Sequence, residues 1–469
     1  EMNQRKMKSR RRFWRARSRG WKAALLLALF CGGIWWLGRA DYSGTLQKEP
    51  APNTGYLLGA AYPQSEEMNQ EPAITLPAAY DYRQAGRAPK VENQENLGTC
   101  WAFAALSALE TSLLPEESWD FSEDHMSIQN SFHMGQNAGG DYTMSLAYLL
   151  AWQGPVAEED DPYGDGKSPD GLDAEKHLQE VQFLPEGDIE AIKRAVFLVG
   201  GVQSSLYTSL QDASSESAYY RKEKAAYYYN GDEPPNLDSV IVGWDDNFPK
   251  EAFTIQPPGD GAFLCMNSWG EAFGDGGYFY VSYYDSNIGR TNLSYTRIEE
   301  PDNYSRIYQT DLCGWSGQAG YGGETVWAAN VYQAQGHESL AAAGFYATGP
   351  DTSYEIYGVT EVNLSSETEV FQDPILLASG KLENAGYYTI DFSSPVTLEE
   401  GQDFAVMIKI TTPGTTQPAA IEYQADGTKG TVDIQDGWGY LSNDGVHWQR
   451  AETTMECSIC LKAYTRSIS

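Results

Sequence analysis

Gln94-Glu95-Asn96-Leu97-Gly98-Thr99-Cys100-Trp101-Ala102-Phe103 places a cysteine at the mouth of an apolar helix, with a glutamine six residues upstream. A thiol is mostly protonated at its ordinary pKa of about 8.5, and the unpaired N–H groups and dipole of a helix start favour the thiolate. Gly98 lets the chain turn closely and Thr99 is placed to cap the helix. Gln94 can offer a side-chain N–H which, with the backbone N–H of Cys100, would hold a tetrahedral oxyanion. The apolar pattern runs from Cys100 toward Leu114 and stops at Pro115.

Outward from this stretch, the pattern predicts a second helix over Thr143–Trp152, then strands around Gly201–Tyr207, Ser239–Trp244, Ala262–Asn267 and Gly277–Tyr284. Residues 76–300 therefore read as one domain, helical first and β later. After Asn303 the chain becomes short alternating strands separated by Gly, Asn, Asp and Pro turns, as in Phe404-Ala405-Val406-Met407-Ile408. Residues 304–469 are expected to form an all-β sandwich. Residues 41–75, rich in Pro, Gly, Ser, Gln and Glu, read as a linker.

Residues 1–22 carry ten Lys or Arg, and Ala23 to Gly38 is an uncharged apolar run. Its sixteen residues fall between a signal-peptide core and a spanning helix of about 20. Residues 1–40 are thus expected to be a polybasic N-terminus with either a cleaved signal peptide or a membrane anchor touching the bilayer through residues 23–38. Either alternative exports the rest, to the cell surface or beyond it. Residues 1–39 hold eleven basic residues and one acidic, so the remainder carries 21 basic against 64 acidic side chains, a net −43. That charge argues against nucleic acid as a partner. Six cysteines in 469 residues are too few to frame the fold with disulfides. Cys457-Ser458-Ile459-Cys460 lies in a strand-like run with no second pair to complete a zinc site, and no metal or cofactor is expected.

Leu76-Pro77, Tyr80-Asp81-Tyr82-Arg83-Gln84, Val91-Glu92-Asn93-Gln94 and Cys100-Trp101-Ala102-Phe103 follow one another in an order that resembles the start of a mature papain-family cysteine peptidase. Phe121-Ser122-Glu123-Asp124, Gly139-Gly140, Asp161-Pro162-Tyr163 and Gly200-Gly201-Val202 continue the match. Asn267-Ser268-Trp269-Gly270 with Gly274-Asp275-Gly276-Gly277-Tyr278 is its most specific block. The resemblance spans Leu76 to Asp285 and implies an α+β fold, a papain-like two-lobe domain with a helical lobe and a β lobe. It implies Cys100 as nucleophile, Gln94 in the oxyanion hole and Asn267 orienting a catalytic imidazole under the shield of Trp269. Gly139, Gly140 and Trp269 would contact a peptide or protein substrate. Leu97 stands where the family has a cysteine, which implies a lost disulfide.

In the family the histidine precedes the glycine of a Val-Gly-Trp strand by six residues. Val242-Gly243-Trp244 fixes that register, and the position is Leu237. A slip of one residue offers Asp238, whose carboxylate would raise a thiol pKa rather than lower it. The histidines are His125, His133, His177, His337 and His447, none in this strand. Without a base the thiol is poorly ionised and the leaving amine has no proton donor. Two readings follow: an exported cysteine peptidase with severely weakened turnover, or an inactive pseudopeptidase that binds peptides or carbohydrates at the cell surface. From about Arg306 the chain resembles the lectin-like β-sandwich that follows papain-type domains in some secreted bacterial and archaeal proteins, carried by Gly314-Trp315, Trp327-Ala328-Ala329-Asn330 and Gly437-Trp438-Gly439-Tyr440. A cell-surface glycan is the ligand this second resemblance implies for the domain as a whole.

Overall fold

The computed structural model describes residues 47–50, 74–366, 369–424 and 430–468. The expected export segment, residues 1–40, lies outside them, and among the described residues no helix is long and apolar enough to cross a membrane. The first domain is built around the helix Cys100–Leu113, whose residues Trp101 to Thr111 are all buried. An apolar helix with no polar face must be surrounded. The shorter helices Glu123–Ile128 and Tyr142–Leu150 pack on one flank and a sheet closes the other. The helix ends at Leu114, which is extended ahead of Pro115, as the ring of a following proline requires. Thr99 makes no side-chain capping bond. Its hydroxyl instead meets the Tyr163 hydroxyl at 2.7 Å, so the expected cap is replaced by a tether to a neighbouring loop.

The β lobe is antiparallel: Val202–Leu206 pairs with Leu237–Asp245, which pairs with Ala262–Met266, which pairs with Tyr278–Ser282. Gly243 is required where the strand Leu237–Asp245 pairs with Ala79–Asp81, since a Cβ there would lie 2.2 Å from the Tyr80 carbonyl oxygen.

The sandwich has a sheet formed by Ile375–Leu382, Thr352–Val359, Asp403–Thr411, Thr325–Gln333, Gly439–Ser442 and Gln449–Arg450 in that order. Its central strands are buried on both faces. Val326, Ala328, Phe404, Val406 and Ile408 join the main core, and Ala329, Val331, Ala405 and Met407 meet a second cluster under Trp327, Phe371 and Trp448. The opposing sheet does not end at the domain boundary. Ala385–Leu398 pairs with His177–Phe183 of the first domain, so one sheet runs from the sandwich into the β lobe. Gly386 makes this close passage possible: its φ is +150° and a Cβ would stand 2.2 Å from the Val181 carbonyl oxygen. The segment expected to be a plain linker also contributes, because Gln47–Pro50 pairs with Gly317–Gly320 of the sandwich.

The junction is also polar. Arg297 donates to the Thr389 carbonyl at 2.9 Å and pairs with Asp391 at 2.7 Å. Lys462 pairs with the fully buried Asp311 at 2.7 Å, and Gln309 reaches across to the Ala151 carbonyl at 3.0 Å. Glu422 accepts from the Cys313 N–H. Burial, with the Asp311 charge second, pushes the Glu422 carboxyl up to about 8. The folded protein thus holds a proton that an unfolded glutamate, with a pKa of about 4.3, has already released. Rising pH between those values therefore favours unfolding, and the stabilisation present at low pH is lost by about pH 8. Between pH 6 and pH 8.5 the melting temperature of the native chain is expected to fall by about 3 °C or more relative to Glu422→Gln. Parallel curves for the two proteins would show that Glu422 is already ionised when folded.

Candidate active site

Cys100 sits half-buried at the first turn of its helix. Three backbone N–H groups, those of Asp238, Trp101 and Cys100 itself, lie near the sulfur and favour the thiolate. They are outweighed. Burial, then the charge of Asp238, pushes the Cys100 thiol up to about 12.

The strand Leu237–Asp245 supplies that carboxylate. Asp238 lies in the sheet with its oxygens held by the Ser205 hydroxyl at 2.6 Å and the Gln203 amide at 3.1 Å, both from the paired strand. The ladder with Ala262–Met266 shifts by one residue between Ile241 and Gly243, so counting back from Gly243 crosses a bulge. Beyond the bulge Val240 faces Met266. Leu237 and Trp269 belong to the same buried apolar cluster. Both residues weighed for the missing imidazole thus meet the site in different ways: Leu237 in the buried apolar cluster that also holds Trp269, Asp238 through its N–H and charge on the thiol.

Gln94 is buried and fixed from two sides. Its carbonyl oxygen accepts from the Ser268 hydroxyl at 2.6 Å and its Nε2 donates to the Leu97 carbonyl at 2.7 Å. An amide nitrogen has two protons, so one donor remains for an oxyanion. Asn267, 3% exposed, accepts at Oδ1 from the Ser268 N–H, while its Nδ2 has no hydrogen-bond partner. Trp269 packs edge-on against Phe273 at 5.0 Å. Gly139 takes φ +71°, and Gly140 is pressed to the Trp101 indole, where a Cβ would come within 2.2 Å of Nε1. Gly98 approaches Gly139 less closely, a Cβ on it meeting the Gly139 nitrogen at 3.0 Å.

No histidine is among the groups acting on the thiol. His125 is buried against the Tyr148 hydroxyl at 2.6 Å and held to about 4 by burial. His133 is exposed in a turn. His177 stacks on Trp152 at 3.7 Å, while His337 and His447 pair with Glu399 and Asp444. Cys100, Cys265, Cys313, Cys457 and Cys460 are all outside disulfides.

The aromatic stretches of the sandwich are mostly packed. Trp315 stacks on Phe183, and Trp327 lies against Tyr357 with Lys409 over its ring. Trp438 is exposed, but the Arg450 guanidinium covers one face at 3.9 Å.

A thiol at the mouth of a buried helix, an amide fixed six residues before it and an Asn-Ser-Trp segment bonded to that amide are arranged as in a papain architecture. Sequence comparison agrees, with the papain family cysteine protease matching residues 76–297 and the lectin like domain matching residues 307–465. The chain is a papain-family cysteine protease domain followed by a lectin-like domain. It is similar to the solved cysteine protease and lectin-like domains of Cwp84, a surface layer associated protein of Clostridium difficile, with 26% identity and a TM-score of 0.74 over 84% of this chain and 90% of that one. Cathepsin L of Sarcophaga peregrina is 28% identical over 52% of this chain and 68% of its own length. A cathepsin L-like peptidase of Aedes aegypti is 28% identical over 44% of this chain, which spans 60% of that relative.

Aspartate 238 was legible only as an alternative, while Gln203 and Ser205 escaped the sequence reading. The signal for them is the polar run Gln203-Ser204-Ser205 inside a strand whose neighbours are apolar.

Proposed function

We propose that this chain is an exported cysteine peptidase scaffold whose turnover through Cys100 is severely weakened and which acts chiefly by holding peptide in its cleft. The observation that carries this reading is Leu237, an aliphatic side chain in the buried apolar cluster that holds Trp269, with all five histidines engaged or exposed elsewhere. At pH 7 a thiol of pKa near 12 is ionised only about once in 10⁵ molecules. Protonation of a leaving amine also has no imidazole donor. The basic and apolar N-terminus and the likeness to a surface layer associated protein support a place at the cell surface.

The test is to measure binding and hydrolysis of one fluorogenic peptide by the same preparation. Ordinary kcat/KM values lie at about 10⁴–10⁸ M⁻¹s⁻¹, and loss of a triad member lowers turnover by roughly 10⁴–10⁶. Saturable binding with kcat/KM below about 10² M⁻¹s⁻¹ is expected. Turnover in the ordinary range would overturn the proposal.

A further inference from the structure

The two donors that would hold an oxyanion stand at opposite ends of one loop, the Gln94 side-chain amide at its start and the Cys100 N–H at its end. Their separation is set by residues 95–99. Glu95 is left-handed there at φ +54°, a conformation that persists in a non-glycine residue only when its surroundings hold it. Within the loop the Leu97 N–H donates back to the Gln94 carbonyl at 3.3 Å, a long bond, and Gln94 Nε2 donates to the Leu97 carbonyl at 2.7 Å. Neither reaches the Cys100 end.

Tyr163 closes the span from outside. Its hydroxyl donates to the Gln94 backbone carbonyl at 3.0 Å and meets the Thr99 hydroxyl at 2.7 Å. A phenol has one proton, so with that proton on Gln94 the Thr99 hydroxyl is the donor of the second bond. One oxygen thus clips residue 94 to residue 99. Tyr163 is itself fixed: its N–H donates to the Glu158 carboxylate at 2.8 Å, the Gly164 N–H donates to Asp124 at 3.0 Å, and its ring stands edge-on to Phe103 at 4.8 Å, three residues along the helix from Cys100. Burial raises the pKa of the hydroxyl, which therefore keeps its donor proton at neutral pH.

We propose that Tyr163 is a positioning residue whose hydroxyl sets the distance between the Gln94 amide and the Cys100 N–H, so that the two together grip the oxygen of a carbonyl to which the Cys100 sulfur has added. The inference rests on the peptide-holding reading above and adds the part of the cleft that grips the carbonyl. The test uses the full chain with a peptide aldehyde as probe and the alcohol of the same peptide as reference, both measured by competition with a fluorescent peptide. The sulfur bonds the aldehyde carbon and the thiol proton ends on its oxygen, so the adduct is neutral and its equilibrium needs no thiolate. The alcohol occupies the cleft without that bond.

The native chain is expected to bind the aldehyde about tenfold or more tightly than the alcohol. Deleting an oxyanion donor costs about 10²–10³ in rate, so Tyr163→Phe, which displaces donors without deleting one, should lose about fivefold or more of that preference while its alcohol affinity stays unchanged. Its ring keeps its place on Phe103. Thr99→Val cuts one arm of the clip and should lose less, which keeps the test open if Tyr163→Phe does not fold. In a Gln94→Ala background Tyr163→Phe should cost less than about twofold more, because a group acting through Gln94 then has little left to place. A preference that survives in the folded variants, an equal loss for aldehyde and alcohol, or losses that multiply in the double variant would overturn the positioning role. Equal binding of aldehyde and alcohol by the native chain would also overturn it while leaving peptide binding intact. Binding of neither at millimolar concentration would overturn the cleft reading as well.

Discussion

Leu237→His is expected to raise hydrolysis of a generic peptide by at least an order of magnitude. The rest of the constellation is in place: Cys100 at its helix start, one free donor on Gln94, and Asn267 with an unpartnered amide nitrogen in the buried wall. An imidazole at position 237 would enter the apolar cluster that holds Trp269, where the papain-family resemblance puts the catalytic histidine, and would supply both the base for the thiol and the acid for the leaving amine. The gain should fall short of the roughly 10⁴–10⁶ that intact triads contribute, because Asp238 still opposes ionisation of the sulfur. The double variant Leu237→His, Asp238→Ala should therefore exceed the single one. Steady-state kcat/KM on a fluorogenic peptide checks both. A folded single variant no faster than the native chain would mean that the cleft has diverged beyond one residue.

The second large effect is on the thiol alone. Native Cys100 is expected to be alkylated by iodoacetamide at pH 8 at least 100-fold more slowly than free cysteine, since its thiol is pushed up to about 12 against about 8.5 for the free amino acid. Asp238→Asn removes a charge and keeps the backbone N–H that favours the thiolate, so alkylation at pH 8 should accelerate about tenfold or more. Burial, the larger cause, remains, and the variant should still lag behind free cysteine. Peptide mapping at Cys100 across pH 6–11 reads this without removing the four buried cysteines. A native rate that is already flat below pH 7 would identify a reactive thiolate and an overlooked activating group.

These experiments turn on two neighbouring residues that the sequence alone distinguishes poorly. The helix after Cys100 was legible because its apolar run begins after Gly98-Thr99 and stops at Pro115, both local signals. The block Asn267 to Gly270 was legible because its residue types are unusual together. Whether Leu237 or Asp238 faces a given partner depends on a bulge at Val242, and one extra residue reverses the facing of every side chain beyond it. The bond of Gln94 to Ser268 depends on how two distant segments meet, which leaves no trace in spacing. The two-sided burial of Asp403–Thr411 was likewise hidden, because the cover over its outer face comes from Phe371 and Trp448 rather than from a neighbouring strand.

The sheet shared between the two domains has a practical outcome for anyone dividing the chain. Cutting between residues 297 and 307 would separate Ala385–Leu398 from His177–Phe183 and leave an open strand edge on each half. Bare backbone N–H and C=O groups along such an edge are templates for pairing with other molecules. The isolated protease half should therefore self-associate through residues 177–183, and the sandwich half through residues 385–388. Each half needs the other as its edge guard, so the second domain protects the solubility of the first whether or not it binds a sugar.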